Sequence, residues 1–446
     1  MPRGKFWNEE LETLSREKLE ELQLKSLQEE LAHAYANSPY YKRAWDEAGV
    51  RPGDVKTLAD LAKFPFIDKK TQRDTQGVGS FLGELAAVPE EEVIFVSTSS
   101  GSTGVPTLSP FTAQDFDEFQ ETEARWFWQA GVRQSDRYVH ALNFALYVGG
   151  PDVIGAQRTG ALCIWVGAVP SERLLFVLKT YQPTAIWTSP SYIIALGEKA
   201  LQSGIDPKKD LSIKKIFVAG EMGGSIDATR KAIVDIWGAE LYDFYGLSDI
   251  FGACAAQCEY HDGLHIAEDH IYVETVDLDT GELLPAGERG ELVFTTLRKK
   301  ARPIIRFRTG DIGRIDLTPC KCGRTHGRIY VDGRKDDMFI VSAVNVYPSD
   351  IEYVIRELPQ ISNEYTIRVF EENYTCKYEV NVENVSDKSD AEIRELTVNA
   401  LKARIGVKPA ILNVHPNGTL ERSTHKAKRV IDQRTETVAK SLGEGI

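Results

Sequence analysis

Cysteine is scarce in this sequence, long apolar runs are missing from it, and its charge is not basic. The 446 residues contain six cysteines, 53 lysines and arginines, and 66 aspartates and glutamates, which gives a formal net charge of −13. Six cysteines in a chain of this length do not make a disulfide scaffold. An acidic chain is not expected to bind nucleic acid non-specifically. Any anionic ligand must therefore be met by local donors.

No run of the sequence approaches the roughly 18 apolar residues that a membrane-spanning helix needs. The first ten residues also lack the apolar centre of a secretory signal. We therefore expect a cytoplasmic protein with neither a membrane nor a nucleic acid as partner. The chain is 42% hydrophobic and 27% charged, as globular proteins are, and its length predicts two or three domains.

Hydroxyl and glycine residues are concentrated in one stretch, 97–107, which reads STSSGSTGVPT and directly follows the apolar run 92–96. Such a run is typical of a strand. The glycines at 101 and 104 permit a positive φ and close backbone approach, so the loop can wrap a polyphosphate with its hydroxyl and N–H donors. An ordinary surface turn is the alternative. Because 97–107 contains no lysine, it is not a Walker A loop.

Short apolar runs alternate with helical patterns between the loop and residue 246. This alternation predicts βαβ units and a mostly parallel sheet, hence an α/β fold. Ligands gather at the carboxyl ends of the strands in such sheets. We expect three loops to lie there: 97–107, 219–225 and 245–251. Leucines at helical spacing also predict an amphipathic helix over 8–36, which Ser38-Pro39 would end.

The pattern changes after residue 265 to short strands separated by turns, which predicts an antiparallel, β-rich subdomain. Beyond it lies a compact α+β unit, with helices near 348–357 and 389–404. We place the boundary at Gly333 to Asp337. The predicted architecture is a large domain, 1–333, followed by a small mobile domain, 334–446.

Four of the cysteines form two close pairs that flank the β-rich segment. One pair is Cys254 and Cys258, which His265 follows, and the other is Cys320 and Cys322, which are separated by one residue. The candidate ligands are Cys258, His265, Cys320 and Cys322. These four side chains suit a tetrahedral, structural zinc site, because paired cysteines in such a protein more often bind metal than form a disulfide. The alternative is a set of reduced, partly buried thiols. Three further residues compete as ligands: Cys254, His261 and His326.

Four motifs occur in one order along the chain: the loop at 97–107, DFYGLSD at 243–249, RFRTGD at 306–311 and GRKDD at 333–337. Together they resemble the adenylate-forming superfamily of acyl-CoA synthetases, adenylation domains and luciferases. A closer resemblance, to the phenylacetate-CoA ligase family, covers essentially the whole chain. It rests on these further segments: FW at 6–7, SPYY at 38–41, SPSY at 189–192, GLH at 263–265, CKCGRTH at 320–326 and VNVYP at 344–348.

The resemblance implies a reaction in two steps. A carboxylate and ATP give an acyl-adenylate and pyrophosphate, and the thiolate of coenzyme A then attacks the adenylate. Because carboxylate attack on the α-phosphorus brings anions together, catalysis should depend on positioning, a divalent metal and cationic donors. The implied cofactors are ATP, Mg²⁺ and coenzyme A. The expected substrate is phenylacetate or another aryl acid, and the resemblance also implies a homodimer.

By this resemblance, six residues of the loop bind the triphosphate: Ser99, Ser100, Gly101, Ser102, Thr103 and Gly104. Tyr245 would stack on the adenine, and Asp311 would bind the ribose hydroxyls. The motif around Tyr245 assigns three more residues to the nucleotide site: Asp243, Gly246 and Ser248. Plainer interpretations stay open, since Tyr245 could be a core residue and Asp311 could simply close a turn.

The resemblance also assigns roles outside these motifs. Arg334 would lie near the ribose and phosphate, and Glu221 would border the acyl and nucleotide pockets. Lys426 matches the C-terminal lysine that supports adenylation in this superfamily, where it brings one mobile positive charge to the developing phosphate anion. Lys428, two residues away, competes for that role. Asp336 matches the hinge about which the small domain would rotate between the two half-reactions.

The sequence departs from the superfamily pattern at several of these sites. Asp249, a candidate catalytic residue, stands where relatives usually have a magnesium-binding glutamate, and its shorter side chain would reach Mg²⁺ through water. Val105 and Thr107 occupy loop positions where lysine is common, which removes a phosphate-binding charge. Ala343 replaces a glycine that lines the pantetheine path in thioester-forming relatives.

These departures leave three alternatives open. The stretch 147–155, in the expected acyl pocket, is short and poor in glycine for a phenylacetate ligase, so the acid could be small and aliphatic or a 2-hydroxy acid. The alanine at 343 raises the alternative of an enzyme that loads a carrier protein instead of coenzyme A. A non-catalytic, zinc-stabilised nucleotide-binding regulator is the third.

Overall fold

A computed structural model describes residues 4–99, 106–142, 144, 149–221, 223–335, 339–341, 344–372, 375–422 and 429–433. The chain divides into two compact units. One contains Met1–Thr188, Ile213–Ala219 and Tyr242–Val331, and the other contains Ser189–Ser212, Gly220–Leu241 and Asp332–Ile446. The division into domains 1–333 and 334–446, and the mobility of the second, stay predictions.

The described α-helices are, in chain order, α1 (Glu9–Glu12), α2 (Arg16–Asn37), α3 (Pro39–Ala48), α4 (Lys69–Thr75), α5 (Ala113–Gln129), α6 (Asp152–Arg158), α7 (Ser171–Tyr181), α8 (Pro190–Gln202), α9 (Pro207–Asp210), α10 (Asp227–Trp237), α11 (Pro348–Glu357) and α12 (Asp390–Ile405). Short 3₁₀ turns cover Pro52–Asp54, Leu58–Lys63 and Glu90–Glu92. None of these helices is both long enough and apolar enough to span a membrane.

The described strands are β1 (Val93–Thr98), β2 (Leu108–Thr112), β3 (Arg137–His140), β4 (Leu162–Trp165), β5 (Ala185–Thr188), β6 (Lys215–Val218), β7 (Glu240–Leu247), β8 (Gly252–Ala256), β9 (Leu264–Ile266), β10 (Ile271–Val276), β11 (Gly290–Thr296), β12 (Phe307–Asp316), β13 (Arg328–Arg334), β14 (Phe339–Val341), β15 (Val344–Val346), β16 (Ile361–Glu372), β17 (Thr375–Asn384), β18 (Ile411–Pro416) and β19 (Val430–Asp432).

Eleven strands form one sheet in the order β10-β11-β12-β13-β9-β8-β7-β6-β5-β3-β4. Its β3–β6 end is parallel, with Tyr138 paired to Ala185 and Ala185 to Lys215. Beyond β7 the ladders are antiparallel, as in β7–β8 and β10–β11. Among the parallel strands β5 is buried throughout, whereas β4, at the end of the sheet, exposes Leu162 and Trp165. The predicted α/β fold with a β-rich part is confirmed.

Aromatic side chains fill the core beneath the parallel strands. The ring of Phe127, on α5, lies 5.3 Å from Tyr138, 5.2 Å from Trp187, 5.5 Å from Phe217 and 5.6 Å from Phe244, centroid to centroid. Most of these pairs meet edge to face, the arrangement that the ring quadrupoles favour. Because the five rings come from α5 and from the four strands β3, β5, β6 and β7, their packing fixes α5 against this part of the sheet.

The hydroxyl- and glycine-rich stretch lies elsewhere than the sequence predicted. β1 pairs antiparallel with β2, with Thr98 opposite Leu108. Beyond the end of β1, the stretch 97–107 therefore lies between the two strands of a hairpin, and it does not follow a strand of the parallel sheet. That part of the prediction was wrong. The apolar run 92–96 gave the strand correctly, but periodicity does not show which neighbour a strand will pair with.

The N-terminal helix is also interrupted where one helix was predicted. α1 ends at Glu12 and α2 begins at Arg16, with the Ser15 hydroxyl accepting a hydrogen bond from the Lys18 N–H at 3.4 Å. Ser38-Pro39 ends α2 as predicted, but it also opens α3, in which Pro39 takes the first position. Proline is well suited to that position because its missing N–H would have had no helical partner there.

The second unit contains the predicted α+β module. A four-stranded sheet, in the order β18-β17-β16-β19, packs with α11 and α12 around a core that includes Ile351, Ile367, Val380 and Leu401. α11 has the bounds that the sequence predicted, and α12 differs by one residue at each end. The same unit also contains α8, α9 and α10.

Candidate active site

Tyr245 and Asp311 meet across the antiparallel half of the large sheet. The Tyr245 hydroxyl donates a hydrogen bond to Asp311 Oδ2 at 2.5 Å, although the two residues belong to β7 and β12. The ring of Phe294 lies 5.9 Å from that of Tyr245. The two residues that the resemblance assigned to adenine and ribose are therefore neighbours, as a shared nucleoside site requires.

An irregular ladder aims Asp311 at its partner. Glu291 of β11 pairs with Ile312 of β12, and Val293 pairs with Arg308. One residue of β11 therefore lies opposite three residues of β12 between these two pairs. Such a bulge bends the strand and redirects side chains. Gly310 takes φ +75° within it, a conformation that glycine adopts without strain. Asp311 lies inside β12, so the interpretation that it only closes a turn is wrong.

Gly246 has a structural reason to be glycine. A Cβ at this position would lie 2.1 Å from the Gly252 carbonyl oxygen, so only glycine lets β7 and β8 approach so closely. The tight connection places Ser248, which is half-buried, and Asp249. Asp243 is bound through its backbone, whose N–H donates to Gln257 Oε1 at 3.1 Å. A nucleotide contact for Asp243, Gly246 and Ser248 stays a prediction.

Asp249 is buried and surrounded by cationic side chains. Lys69 Nζ lies 2.5 Å from its Oδ2, and an Arg302 guanidinium nitrogen lies 3.6 Å from its Oδ1. The Thr107 hydroxyl donates to Oδ1 at 3.3 Å. Burial alone would raise the pKa of the Asp249 carboxyl, but the charges of Lys69 and Arg302 outweigh it and hold the pKa below its usual value. An ionised carboxylate of this kind can bind a divalent cation.

Lys299 fixes the backbone beside this carboxylate. Its Nζ lies 3.0 Å from the Asp249 carbonyl oxygen, 2.5 Å from that of Ile250 and 2.7 Å from Ser109 Oγ. The Nζ also lies 4.1 Å from the centre of the Phe111 ring, where a cation is attracted by the ring face. Lys299 thus ties the Asp249 turn to β2, which carries Ser109 and Phe111.

Lys69, Lys299 and Arg302 belong to none of the motifs in the sequence. The basic cluster 298–302, placed after an apolar strand, was a signal that could have indicated the last two. Lys69 had no such signal, because it adjoins Lys70 in a polar segment and reaches Asp249 only through the tertiary fold.

Ser99 and Thr107 close the base of the hydroxyl- and glycine-rich loop. The Ser99 N–H donates to the Thr107 carbonyl at 3.0 Å, and the Thr107 N–H and hydroxyl both lie 3.0 Å from Ser99 Oγ. The remaining predicted loop residues lie outside the described residues: Ser100, Gly101, Ser102, Thr103 and Gly104. The loop's base is thus adjacent to Asp249, since Thr107 contacts both.

The remaining predicted site residues fall in the second unit. Glu221 Oε1 accepts hydrogen bonds from the backbone N–H, at 2.7 Å, and the hydroxyl of Ser191 in the first turn of α8. Arg334 is the half-buried last residue of β13. Lys426, Asp336 and Ala343 lie outside the described residues. The predicted roles of this group stay predictions.

The predicted metal ligands come together around β9, which carries His265 and pairs with β8 and β13. Cys258, His265, Cys320 and Cys322 are all buried, and their ligand atoms lie within 4.8 Å of one another. Cys258 Sγ is 3.8 Å from Cys320 Sγ, and Cys322 Sγ is 3.4 Å from His265 Nε2. His265 Nδ1 lies 3.1 Å from the His326 carbonyl oxygen, which turns Nε2 towards the thiols. Three sulfurs and one imidazole nitrogen match structural zinc.

The three competing ligands are engaged elsewhere. Cys254 Sγ lies 3.5 Å from the Tyr245 carbonyl oxygen, and the His261 ring packs 4.9 Å from the Tyr242 ring. His326 lies between two backbone carbonyls, with Nδ1 3.0 Å from that of Ile266 and Nε2 3.0 Å from that of Leu11. The structure therefore brings together the four side chains that the sequence favoured, and zinc binding by them stays a prediction.

Comparison with known proteins is consistent with this geometry. The AMP-binding enzyme family matches residues 27–296, and the AMP-binding enzyme C-terminal domain matches residues 343–434. The chain is 36% identical to a phenylacetate-coenzyme A ligase of Aromatoleum evansii, over 96% of this chain and 97% of that one. It is 37% identical to one of Pseudomonas putida, over 95% and 96%.

Solved structures give the same result. Crystal structures of 2-hydroxyisobutyryl-CoA ligase in the postadenylation state, with R3-HIB-AMP or 2-HIB-AMP, align with TM-scores of 0.91 at 28% and 29% identity. The second alignment covers 100% of this chain and 97% of that chain. The same enzyme with 2-HIB-AMP and CoA in the thioesterification state gives a TM-score of 0.73. This chain therefore belongs to the phenylacetate-CoA ligase family of the adenylate-forming enzymes, and it is an AMP-forming acid–thiol ligase.

Proposed function

We propose that this ligase activates phenylacetate or another aryl acid and transfers the acyl group to coenzyme A. The observation that carries the substrate is the near-full-length similarity to phenylacetate-coenzyme A ligases. The Tyr245–Asp311 pair and the cation-lined Asp249 carboxylate support ATP as co-substrate, because they suit a nucleoside and a metal-bound phosphate. The homodimer and the cytoplasmic location stay predictions.

The chemistry has two displacements. A carboxylate oxygen of the acid attacks the α-phosphorus, the bond to the bridging oxygen breaks, and pyrophosphate leaves with the bonding electrons. The coenzyme A thiolate then attacks the acyl carbon, and AMP leaves. Both steps need oriented anions. In our proposal Tyr245 and Asp311 orient the nucleoside, and Asp249 would hold the divalent cation. Bound Mg²⁺ would neutralise phosphate charge.

A 2-hydroxy acid is the second candidate substrate. It is favoured by the structural match to 2-hydroxyisobutyryl-CoA ligase, which extends over the whole chain. The stretch 147–155, from which the sequence analysis argued, is described only from residue 149. The family assignment favours an enzyme over the non-catalytic regulator. Transfer to a carrier protein rests on Ala343 alone.

Acid-dependent exchange of labelled pyrophosphate into ATP tests the proposal. Phenylacetate, benzoate, acetate and 2-hydroxyisobutyrate would be compared at equal concentration, and coenzyme A then added to score thioester formation. We expect the fastest exchange with an aryl acid and direct formation of its thioester. Preferred exchange with 2-hydroxyisobutyrate would favour the second candidate. Exchange without thioester formation would favour a carrier protein as acceptor.

Substitutions at Tyr245 test the nucleoside site. Tyr245→Ala should weaken AMP binding by about 5- to 100-fold, since stacking of a base on an aromatic ring contributes ~1–3 kcal/mol. Tyr245→Phe keeps the ring and loses only the hydrogen bond to Asp311, so its loss should be about 2- to 10-fold. Calorimetric titration with AMP measures both. Equal affinities for the alanine variant and the wild type would contradict the assignment.

We also propose that Cys258, His265, Cys320 and Cys322 hold a structural zinc ion. A site closed by four protein ligands leaves no position for substrate, so its function is to fix the surrounding backbone. The residues after Cys322 are bound to the N-terminal segment. Arg324 Nε donates to Glu12 Oε2 at 2.7 Å, and the Thr325 N–H donates to the Glu12 carbonyl at 3.1 Å.

Replacement of Cys322 by serine tests the zinc site. We expect metal content to fall from about one zinc per chain and the melting temperature to fall by roughly 5–10 °C, because the binding free energy of structural zinc stabilises the fold. Hydrogen exchange should also rise in residues 4–16, which the segment after Cys322 binds. Elemental analysis and exchange mass spectrometry measure these effects. Cys163→Ser, at a half-buried thiol on β4, is the matched control, and a zinc-free, equally stable wild type would contradict the proposal.

A further inference from the structure

Three basic side chains lie near Asp249 among the described residues, Lys69, Lys299 and Arg302, and of these Lys69 is the one open to solvent. Lys69 is the first residue of α4, which Asp68 caps by accepting a hydrogen bond from the Thr71 N–H at 2.7 Å. Its side chain is 36% exposed, whereas the side chains of Asp249 and Arg302 are each 3% exposed. Because the Lys69 side chain is partly exposed, its ammonium can move from Asp249 to another acceptor without breaking a buried packing arrangement.

The other two basic side chains have less freedom. Lys299 Nζ is buried and is used by three oxygen acceptors. Arg302 is buried beside Asp249. Lys69 Nζ has a contact on the loop as well, since it lies 3.3 Å from Thr107 Oγ1. Of the three basic groups near Asp249, Lys69 is thus the one placed between the carboxylate, the base of the loop and solvent.

The loop itself offers no positive charge. Residues 97–107 contain no lysine or arginine, and valine and threonine stand at positions 105 and 107. Neutral donors alone would have to meet a triphosphate there, although hydrogen bonds from a charged donor to phosphate are roughly twice as strong as neutral ones. A cation supplied from another part of the chain would meet this need, and Lys69 already touches the loop's base.

We propose that Lys69 is a triphosphate-binding residue, which supplies from α4 the charge that the loop lacks. In the structure its ammonium pairs with Asp249. When the nucleotide binds with its divalent cation, Asp249 serves that cation and Lys69 donates to a β- or γ-phosphate oxygen. This inference rests on the proposed function, because it takes ATP as the ligand beside Asp249.

The alternative is a purely structural ion pair, and the two roles predict different selectivities. A phosphate-binding lysine acts on nucleotides that carry β- and γ-phosphates and leaves AMP binding unchanged. A structural ion pair stabilises the Asp249 turn and, through β7, the nucleoside site. Its loss would therefore reduce the affinities for both nucleotides by a similar factor.

The test compares the affinities of α,β-methylene-ATP and AMP, measured calorimetrically in the presence of Mg²⁺. For Lys69→Ala we expect a 10- to 100-fold loss for the ATP analogue, since a hydrogen bond to a charged group contributes ~1.5–3 kcal/mol, and less than about a 3-fold change for AMP. Lys69→Arg should recover part of the loss. Lys70→Ala is the matched control, because Lys70 is the next residue on α4 and pairs with exposed Asp74.

Each outcome decides the proposal. Selective loss for the ATP analogue supports it, and equal loss for both nucleotides, or none for either, overturns it. Lys69→Gln, which keeps a hydrogen-bond donor but no charge, replaces the alanine variant if that variant does not fold. If the wild type binds neither nucleotide, the proposed function itself is overturned. If the wild type binds both nucleotides and the Lys69 variants lose no selective affinity for the ATP analogue, only this inference is overturned.

Discussion

Replacing Asp249 by asparagine is expected to slow adenylation by about 10²- to 10³-fold, because the side chain keeps its shape but loses the charge that would hold the divalent cation. The apparent Mg²⁺ requirement should rise at the same time. Pyrophosphate exchange, followed as a function of Mg²⁺ concentration with the preferred acid, measures both effects. The variant should also melt at a lower temperature, since buried Arg302 loses its carboxylate partner.

Asp249→Glu is the matched control, because it keeps the charge and restores the residue that the superfamily usually has. Its exchange rate should stay within about 10-fold of the wild type, as expected for a retained carboxylate ligand. AMP affinity shows whether the nucleoside site is intact in each variant. An asparagine variant with an unchanged Mg²⁺ dependence would contradict the role of Asp249.

Lys426→Ala should reduce adenylation by a similar factor, about 10²- to 10³-fold, while thiolysis of preformed acyl-adenylate stays nearly unchanged. The reason is that Lys426 would stabilise the charge that develops when the carboxylate attacks the α-phosphorus and pyrophosphate leaves, a step that a reaction started from acyl-adenylate omits. Single-turnover assays that begin from acid and ATP, or from synthetic acyl-adenylate and coenzyme A, separate the two steps.

Lys428→Ala is the control for that experiment, since it removes a second positive charge two residues away. We expect both half-reactions to proceed almost normally in it. Equal losses in the two steps for Lys426→Ala would count against its assigned role, and a larger adenylation defect in Lys428→Ala would transfer the role to that residue.

Local signals predicted most of the helices and strands. α11 and α12 were expected almost at their observed bounds, because apolar spacing and capping residues are properties of short segments. The break between α1 and α2 was missed, since leucine spacing continues across it and Ser15 resembles an ordinary surface residue. The hairpin at β1 and β2 was missed because strand pairing depends on residues far away in sequence.

The candidate site divides in the same way. Tyr245 and Asp311 were identified by their motifs, and the cysteine and histidine ligands by their pairing along the chain. Lys69 could not be found, since its contact with Asp249 spans 180 residues and nothing distinguishes it from Lys70 locally. Lys299 likewise acquires its position only when its Nζ reaches three oxygens on two other segments.

The irregular ladder at Asp311 constrains how this enzyme can change over evolution or in the laboratory. Adjacent residues of a strand point to opposite faces, so the extra residues in β12 determine whether the carboxylate points to the nucleoside side of the sheet. Point replacements nearby, other than at Gly310, would leave that direction intact, whereas a deletion or insertion of one residue between Arg308 and Ile312 would turn Asp311 to the opposite face. Apart from that glycine, this segment should therefore tolerate drift in composition far better than drift in length.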